Sequence, residues 1–180
     1  MNPRITFDYF QNEILITNLT GDGDYVTSRG EDLKGFITIH ELEYLNHLLG
    51  DDLYGDFVDA LDTAGNDYAL LASKWQQLLL KIYPQDQTAD PAYYFSPAAR
   101  YVYFMYYRFQ QSFSTDGGQV AAKFENAETI TNWNKMVFTW NRMCNESTVI
   151  REWIVDNIST YTTYSPNVPD ALVKINRIGY

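Results

Sequence analysis

The chain has little of the residues from which most catalytic and metal sites are built. Its 180 residues include a single cysteine and only two histidines. The lone Cys144 cannot form a disulfide within the chain and indicates a reducing compartment at synthesis. The sequence contains neither a phosphate-binding glycine loop nor a G-x-S-x-G nucleophile motif. These absences leave an enzymatic role without support, and we expect no cofactor.

Basic residues and long apolar runs are also scarce. The chain has 13 Lys and Arg against 23 Asp and Glu, a formal charge of −10. Because affinity for nucleic-acid phosphate comes mostly from Lys and Arg, this balance argues against holding DNA, although DNA could still slide past. No apolar run reaches the roughly 18 residues that a membrane span needs. The first residues, MNPRITFDYF, lack the pattern of a signal peptide.

The few patterns that could carry chemistry have simpler structural interpretations. His40 and His47 are seven residues apart, whereas metal-binding helical pairs usually sit at i and i+4. Asp52, Asp56 and Asp59 share one helix face, where they could bind a divalent cation or form an acid–base pair. A solvated face with favourable charge at the helix start explains them better. We therefore predict no metal site.

Residues 1–36 differ from the rest of the chain. Arg4–Phe10 and Glu13–Leu19 are short runs rich in Ile, Phe, Tyr and Thr, which predict a hairpin. Tyr25–Thr27 would be a third short strand. So few strands are marginally stable alone and need another surface to pack on. We predict a short β-rich N-terminal arm.

Residues 37–160 are expected to form a body of about five helices, judged by apolar periodicity. Thr38 and Glu41 form a capping box that would start the first helix, and Gly50 would end it. Residues 161–180 contain two prolines and several β-branched residues, and they are predicted to form an extended C-terminal tail. The predicted fold is therefore mainly α, a helical bundle with a β-rich N-terminal arm and an extended tail.

The run from Ser96 to Phe113 is the most unusual part of the body. It begins like a helix, with Ser96 as the cap and Pro97 at the first helical position. Apolar or aromatic side chains then follow on nearly every face, and such a helix must be covered all round. A small domain seldom covers every face of one helix, so we expect neighbouring subunits to help. The candidate subunit-interface residues are Arg100, Tyr103, Phe104, Tyr107 and Arg108.

Two stretches resemble the small head–tail adaptor proteins of tailed phages. The first is FITIHELEYLNHLLGDDLYGDFVDAL, with the phrase Leu49-Gly50-Asp51-Asp52-Leu53-Tyr54. The second is PAARYVYFMYYRFQQSFSTDGGQV, with Thr115, Gly118 and Val120 in its turn. The second stretch is similar to versions in phages and prophages of Bacteroidetes, including the crAss-like phages. The resemblance covers about residues 36–160.

The resemblance implies a structural protein of the virion neck, assembled in the host cytoplasm. It implies a dodecameric ring, docked under the portal and in contact with the next neck or tail ring, that extends the DNA exit channel. Tail residues expected to dock on the portal or next ring are Leu172, Val173, Ile175, Ile178 and Tyr180. Asp52, Asp56 and Asp59 are expected to face the channel and repel DNA. Residues 1–36 have no counterpart in the simplest helical adaptors, which leaves open which ring of the neck this is.

A second class of function stays open on the residues alone. A monomeric or dimeric helical bundle could hold a peptide or small molecule in its aromatic centre without catalysing a reaction. Ring assembly favours the connector, whereas a closed monomer that ignores a portal favours the binding module.

Overall fold

The chain is mainly helical in a computed structural model that describes residues 3–21, 26–65, 67–86, 93–110, 112–115, 118–121, 133–166 and 172–175. Five α-helices make up most of this part of the chain. They are α1 (Ser28–Leu49), α2 (Asp51–Thr63), α3 (Ser73–Ile82), α4 (Pro97–Gln110) and α5 (Trp133–Asp156). Short 3₁₀ turns lie at Phe7–Tyr9, Asn12–Ile14 and Tyr68–Leu70. The helical fold class predicted from the sequence is confirmed.

The described residues include two pairs of short antiparallel strands. Strands β1 (Gln85–Asp86) and β2 (Tyr93–Tyr94) pair between α3 and α4. Strands β3 (Ser112–Thr115) and β4 (Gly118–Ala121) pair after α4, with Thr115 opposite Gly118. The helix predicted from Ser96 therefore ends before Phe113, which belongs to β3.

Helix α1 begins earlier than the sequence predicts. The hydroxyl of Thr27 accepts a hydrogen bond from the backbone N–H of Gly30 at 3.1 Å, so that Thr27 is the N-cap. Thr38, the predicted cap, lies inside the helix and donates to the carbonyl of Lys34 at 2.9 Å. The helix ends at Gly50 as predicted, with φ at 74°. Helix α1 thus runs through residues 36 and 37, where the sequence placed the boundary between arm and body.

The predicted β-rich N-terminal arm is wrong. The described residues of this segment form 3₁₀ turns, and an isolated bridge between Thr20 and Val26 is the one strand-like pairing among them. Asn12 and Asn18 have positive φ values of 53° and 61°, which interrupt any continuous strand. The apolar side chains of the segment are instead buried against the helices: Ile5, Tyr9, Phe10, Ile14, Ile16 and Leu19.

One hydrophobic core joins the N-terminal segment to all five helices. Helix α4 has its main contacts with α1 and with α5, while α2 contacts α1. The core also includes Tyr161 and Tyr164, which follow α5, and Leu172 near the C-terminus. Part of the predicted tail is therefore packed on the body.

Candidate assembly surfaces

Helix α4 is fixed at its start by a serine that bonds in two directions. The hydroxyl of Ser96 accepts from the N–H of Ala98 at 3.1 Å and donates to the carbonyl of Ile82 at 2.8 Å. This pair of bonds caps α4 and ties it to the end of α3. The start predicted at Ser96 and Pro97 is confirmed.

The aromatic helix α4 is covered by this chain itself. Its buried residues are Pro97, Ala98, Ala99, Arg100, Tyr101, Val102, Tyr103, Phe104 and Tyr106. The long helices α1 and α5 cover it. Among the predicted interface residues, Arg100, Tyr103 and Phe104 are therefore buried within one chain and offer almost no surface to another. Tyr107 is half-buried and Arg108 is exposed, so these two keep surface that a neighbour can contact.

Arg100 belongs to a compact ion-pair network rather than to an open surface. Its guanidinium bonds Glu13 at 3.0 Å and Glu146 at 3.2 Å. Arg142 bonds the same two carboxylates, at 2.6 Å and 3.1 Å. Burial alone would raise the pKa of Glu13, but the two arginines outweigh it and hold that pKa below its usual value. The network ties the N-terminal segment to α4 and α5.

Glu41 holds the first residues of the chain against α1. Its buried carboxyl accepts from the N–H of Arg4 at 3.0 Å and of Ile5 at 3.3 Å. The hydroxyl of Tyr83 donates to it at 2.6 Å. Burial raises the pKa of Glu41, although these hydrogen bonds and the charge of Arg4 oppose the shift. Glu41 is therefore a structural anchor and not the capping-box residue that the sequence predicts.

The two histidines share a carboxylate on α1. The Nδ1 atom of His40 lies 2.6 Å from Glu43, and the Nε2 atom of His47 lies 3.7 Å from it. His40 also borders a surface groove of about 550 Å³ with Phe36, Ile39 and Phe109. Among the described residues, no group of three His, Cys, Asp or Glu side chains is placed to hold a metal ion.

The acidic side chains of α2 lie on its outer face. Asp52, Asp56 and Asp59 are all exposed, whereas Leu53 and Phe57 on the inner face are at most 1% exposed. Asp56 accepts a hydrogen bond from the hydroxyl of Thr163 at 2.8 Å. None of the salt bridges in the described part of the chain involves these three carboxylates. The face predicted to line a channel is thus a negative surface.

The predicted docking residues of the tail differ in their surroundings. Leu172 is buried, whereas Val173 is 58% exposed. Ile175 is half-buried, and its backbone bonds the side chain of Asn141. Ile178 and Tyr180 lie outside the described residues. In the described part of the chain, no helix is long and apolar enough to cross a membrane.

The comparisons with known proteins found no matching family model, no matching curated protein and no matching solved structure. The likeness of residues 36–160 to phage adaptors rests on the sequence phrases alone and stays a prediction. The function is therefore argued from the surfaces described above.

Proposed function

We propose that this protein is a structural, non-enzymatic component of a phage neck, and that copies of it form a ring between the portal and the tail. The ring would extend the DNA exit channel and would contact the portal on one side and the next ring on the other. The sequence phrases of residues 36–160 suggest this function. The mainly helical body is compatible with it.

The observation that carries the proposal is the outer face of α2. Asp52, Asp56 and Asp59 are exposed, and no described cation neutralises them. Repeated around a ring, one such face per subunit would make a continuous negative band. Such a band repels DNA phosphate and lets a genome pass without sticking. A net charge of −10 per chain strengthens the same field.

The proposal is tested by removing the three charges from the assembled virion. Asp52→Asn, Asp56→Asn and Asp59→Asn together should slow DNA ejection, because the channel wall would no longer repel phosphate. A matched control removes three exposed charges elsewhere: Asp32→Asn, Glu152→Gln and Asp156→Asn. The rate of DNA ejection from single virions at low salt is compared between the two triple variants. Equal rates for both triple variants would refute a channel position for α2.

A binding module is the second candidate, and one observation favours it. The groove of about 550 Å³ is lined by Phe36, Ile39, His40 and Phe109, with Glu31 and Asp32 at its edge. Ile39 and Phe109 are 64% and 55% exposed. In this alternative the ligand would lie in the groove, because the aromatic helix α4 is packed inside the chain. Ligand-induced thermal stabilisation that is lost in Phe109→Ala would support it.

A further inference from the structure

The groove of about 550 Å³ is walled by three rings that come from two helices. Phe36 and His40 lie on α1, and Phe109 lies near the end of α4. The ring centroids of Phe36 and Phe109 are 5.6 Å apart, and the imidazole of His40 stacks on Phe109 at 6.2 Å. The buried Tyr106 contacts Phe36 at 5.4 Å. These contacts hold the rings in place, so that a ligand does not have to order them.

The apolar part of the groove is open to solvent. Ile39 and Phe109 are both more than half exposed, and a Cβ added at Gly35 would meet nothing within 4 Å. An exposed aromatic ring offers a face on which a planar guanidinium stacks. The methylene stem of the same arginine would cover apolar surface such as Ile39. The groove therefore suits a side chain that is apolar along its length and charged at its tip.

The edge of the groove carries negative charge. Glu31 and Asp32 lie in the first turns of α1, and both are exposed. Lys34 bonds Glu31 at 3.2 Å, but these side chains are 50% and 62% exposed, and a surface pair of this kind contributes little. Within the described part of the chain, no salt bridge involves Asp32. A carboxylate on the same groove as the exposed rings is therefore available to an incoming cation.

We propose that this groove docks a partner protein that presents an arginine beside an apolar residue. The guanidinium stacks on Phe109 and bonds the carboxylate of Asp32, while the apolar neighbour covers Ile39. Arginine meets both requirements because its guanidinium is planar, always charged and able to donate two parallel bonds to a carboxylate. A purely apolar ligand would cover the edge carboxylates without pairing them, which is unfavourable. The chain's net charge of −10 attracts a basic partner from a distance.

The inference rests on the groove that carries the second candidate function, since it names the class of ligand for that site. It does not depend on ring formation, because the groove is complete within one chain.

Two synthetic peptides test the proposal on the full chain. The first is Gly-Leu-Arg-Leu-Gly, acetylated and amidated, and in the second a citrulline replaces the arginine, which keeps the shape of the side chain and removes its charge. Binding is followed by the backbone amide resonances of the isotope-labelled protein. The arginine peptide should shift the resonances of residues 31–40 and 109 and bind roughly 3- to 30-fold more tightly than the citrulline peptide. Added salt should weaken the arginine peptide more than the citrulline peptide.

Four variants locate the contact. Asp32→Asn and Phe109→Ala should each reduce the preference for the arginine peptide. Asp156→Asn and Phe138→Ala are the matched controls, since they change an exposed carboxylate and an exposed phenylalanine on α5, and both should keep the full preference. All four side chains are exposed, so that the substitutions leave the core intact.

The other outcomes separate this inference from the functions proposed above. If both peptides bind equally and Phe109→Ala removes the binding, the arginine preference is overturned and the groove remains an apolar ligand site. A preference that persists in both Asp32→Asn and Phe109→Ala, or shifts confined to another surface, would overturn the proposed contact. Absence of binding by either peptide would overturn the inference as well. None of these results bears on ring formation, which is measured by the mass of the assembly.

Discussion

Two glycines of α1 should respond to alanine in opposite directions. A Cβ added at Gly30 would lie 2.3 Å from the carbonyl oxygen of Leu19 and 2.6 Å from Cγ1 of Val26. A Cβ added at Gly35 would meet nothing within 4 Å, and residue 35 is exposed. The same substitution therefore creates a clash at one position and adds only helix propensity at the other.

The magnitudes follow from these contacts. Alanine in place of glycine in a helix interior stabilises by about 0.5–1 kcal/mol, and we expect that increase in the free energy of unfolding for Gly35→Ala. At Gly30 the added methyl meets a main-chain carbonyl, and such overpacking costs about 1–3 kcal/mol. Since 1 kcal/mol corresponds to about 2–4 °C in Tm for a domain of this size, Gly30→Ala should melt roughly 3–16 °C below Gly35→Ala.

Thermal unfolding followed by circular dichroism measures this difference, and urea unfolding converts it to free energy. Gly55→Ala in α2 is a second open position, where the added Cβ also meets nothing within 4 Å. The comparison of Gly30→Ala with Gly35→Ala tests where α1 begins. If the helix started at Thr38 behind a separate arm, both α1 glycines would lie outside it. Equal Tm values, or a stabilised Gly30→Ala, would refute the packing of Leu19 and Val26 over α1.

Three further predictions concern Glu41 and the ion pairs of Arg100 and Glu13. Glu41→Ala should lower the free energy of unfolding by about 3–5 kcal/mol, because two N–H groups and one phenol lose their acceptor. Glu31→Ala, on the exposed face of α1, is the control and should lower it by less than about 0.5 kcal/mol. Similar urea midpoints for the two variants would contradict the anchoring role of Glu41. Arg100→Met should lower the free energy of unfolding by about 2–4 kcal/mol, and the more exposed Arg142→Met should lower it by less than about 1 kcal/mol. Urea unfolding of the two variants measures this difference. The lowered pKa of Glu13 means that its stabilisation is present above a pH of about 4.5 and lost as the pH falls. Glu13→Gln should therefore flatten the acid side of a Tm-against-pH curve, and an unchanged acid side would argue against this ion pair.

Local signals in the sequence predicted the middle of the fold well. Gly50 ends α1, and α2 follows directly. The apolar residues Trp75, Leu78, Leu79 and Ile82 recur at helical spacing in the sequence, and the structure buries them on one face of α3. Each of these features depends on residues that are close together in the sequence, so that the sequence pattern alone was sufficient to predict it.

The N-terminal segment could not be predicted in the same way, because its structure depends on distant residues. Its Ile, Phe and Tyr residues have strand propensity, but they are buried in a core whose other members come from distant parts of the chain. Gly30 lowers helix propensity in the sequence, although its hydrogen atom is what allows Leu19 to pass close by. The available sequence signal against strands was the presence of Asn12 and Asn18, since Asn adopts the positive φ seen at both positions more readily than most residues.

The aromatic helix shows a different limit of sequence reasoning. Apolar residues on every face of α4 correctly indicate that the helix is covered, but not what covers it. The covering helices α1 and α5 belong to the same chain. Arg100 is compatible with an interface by residue type, yet its partners Glu13 and Glu146 are far away in sequence. Assembly surfaces must therefore be sought among the exposed side chains.

The central claim is that copies of this chain form a ring on a portal. Native mass spectrometry of the protein, alone and mixed with a candidate portal protein, tests it most directly. The account predicts either a discrete ring or a monomer that joins the portal in a fixed stoichiometry. A monomer whose mass is unchanged by the portal would contradict it.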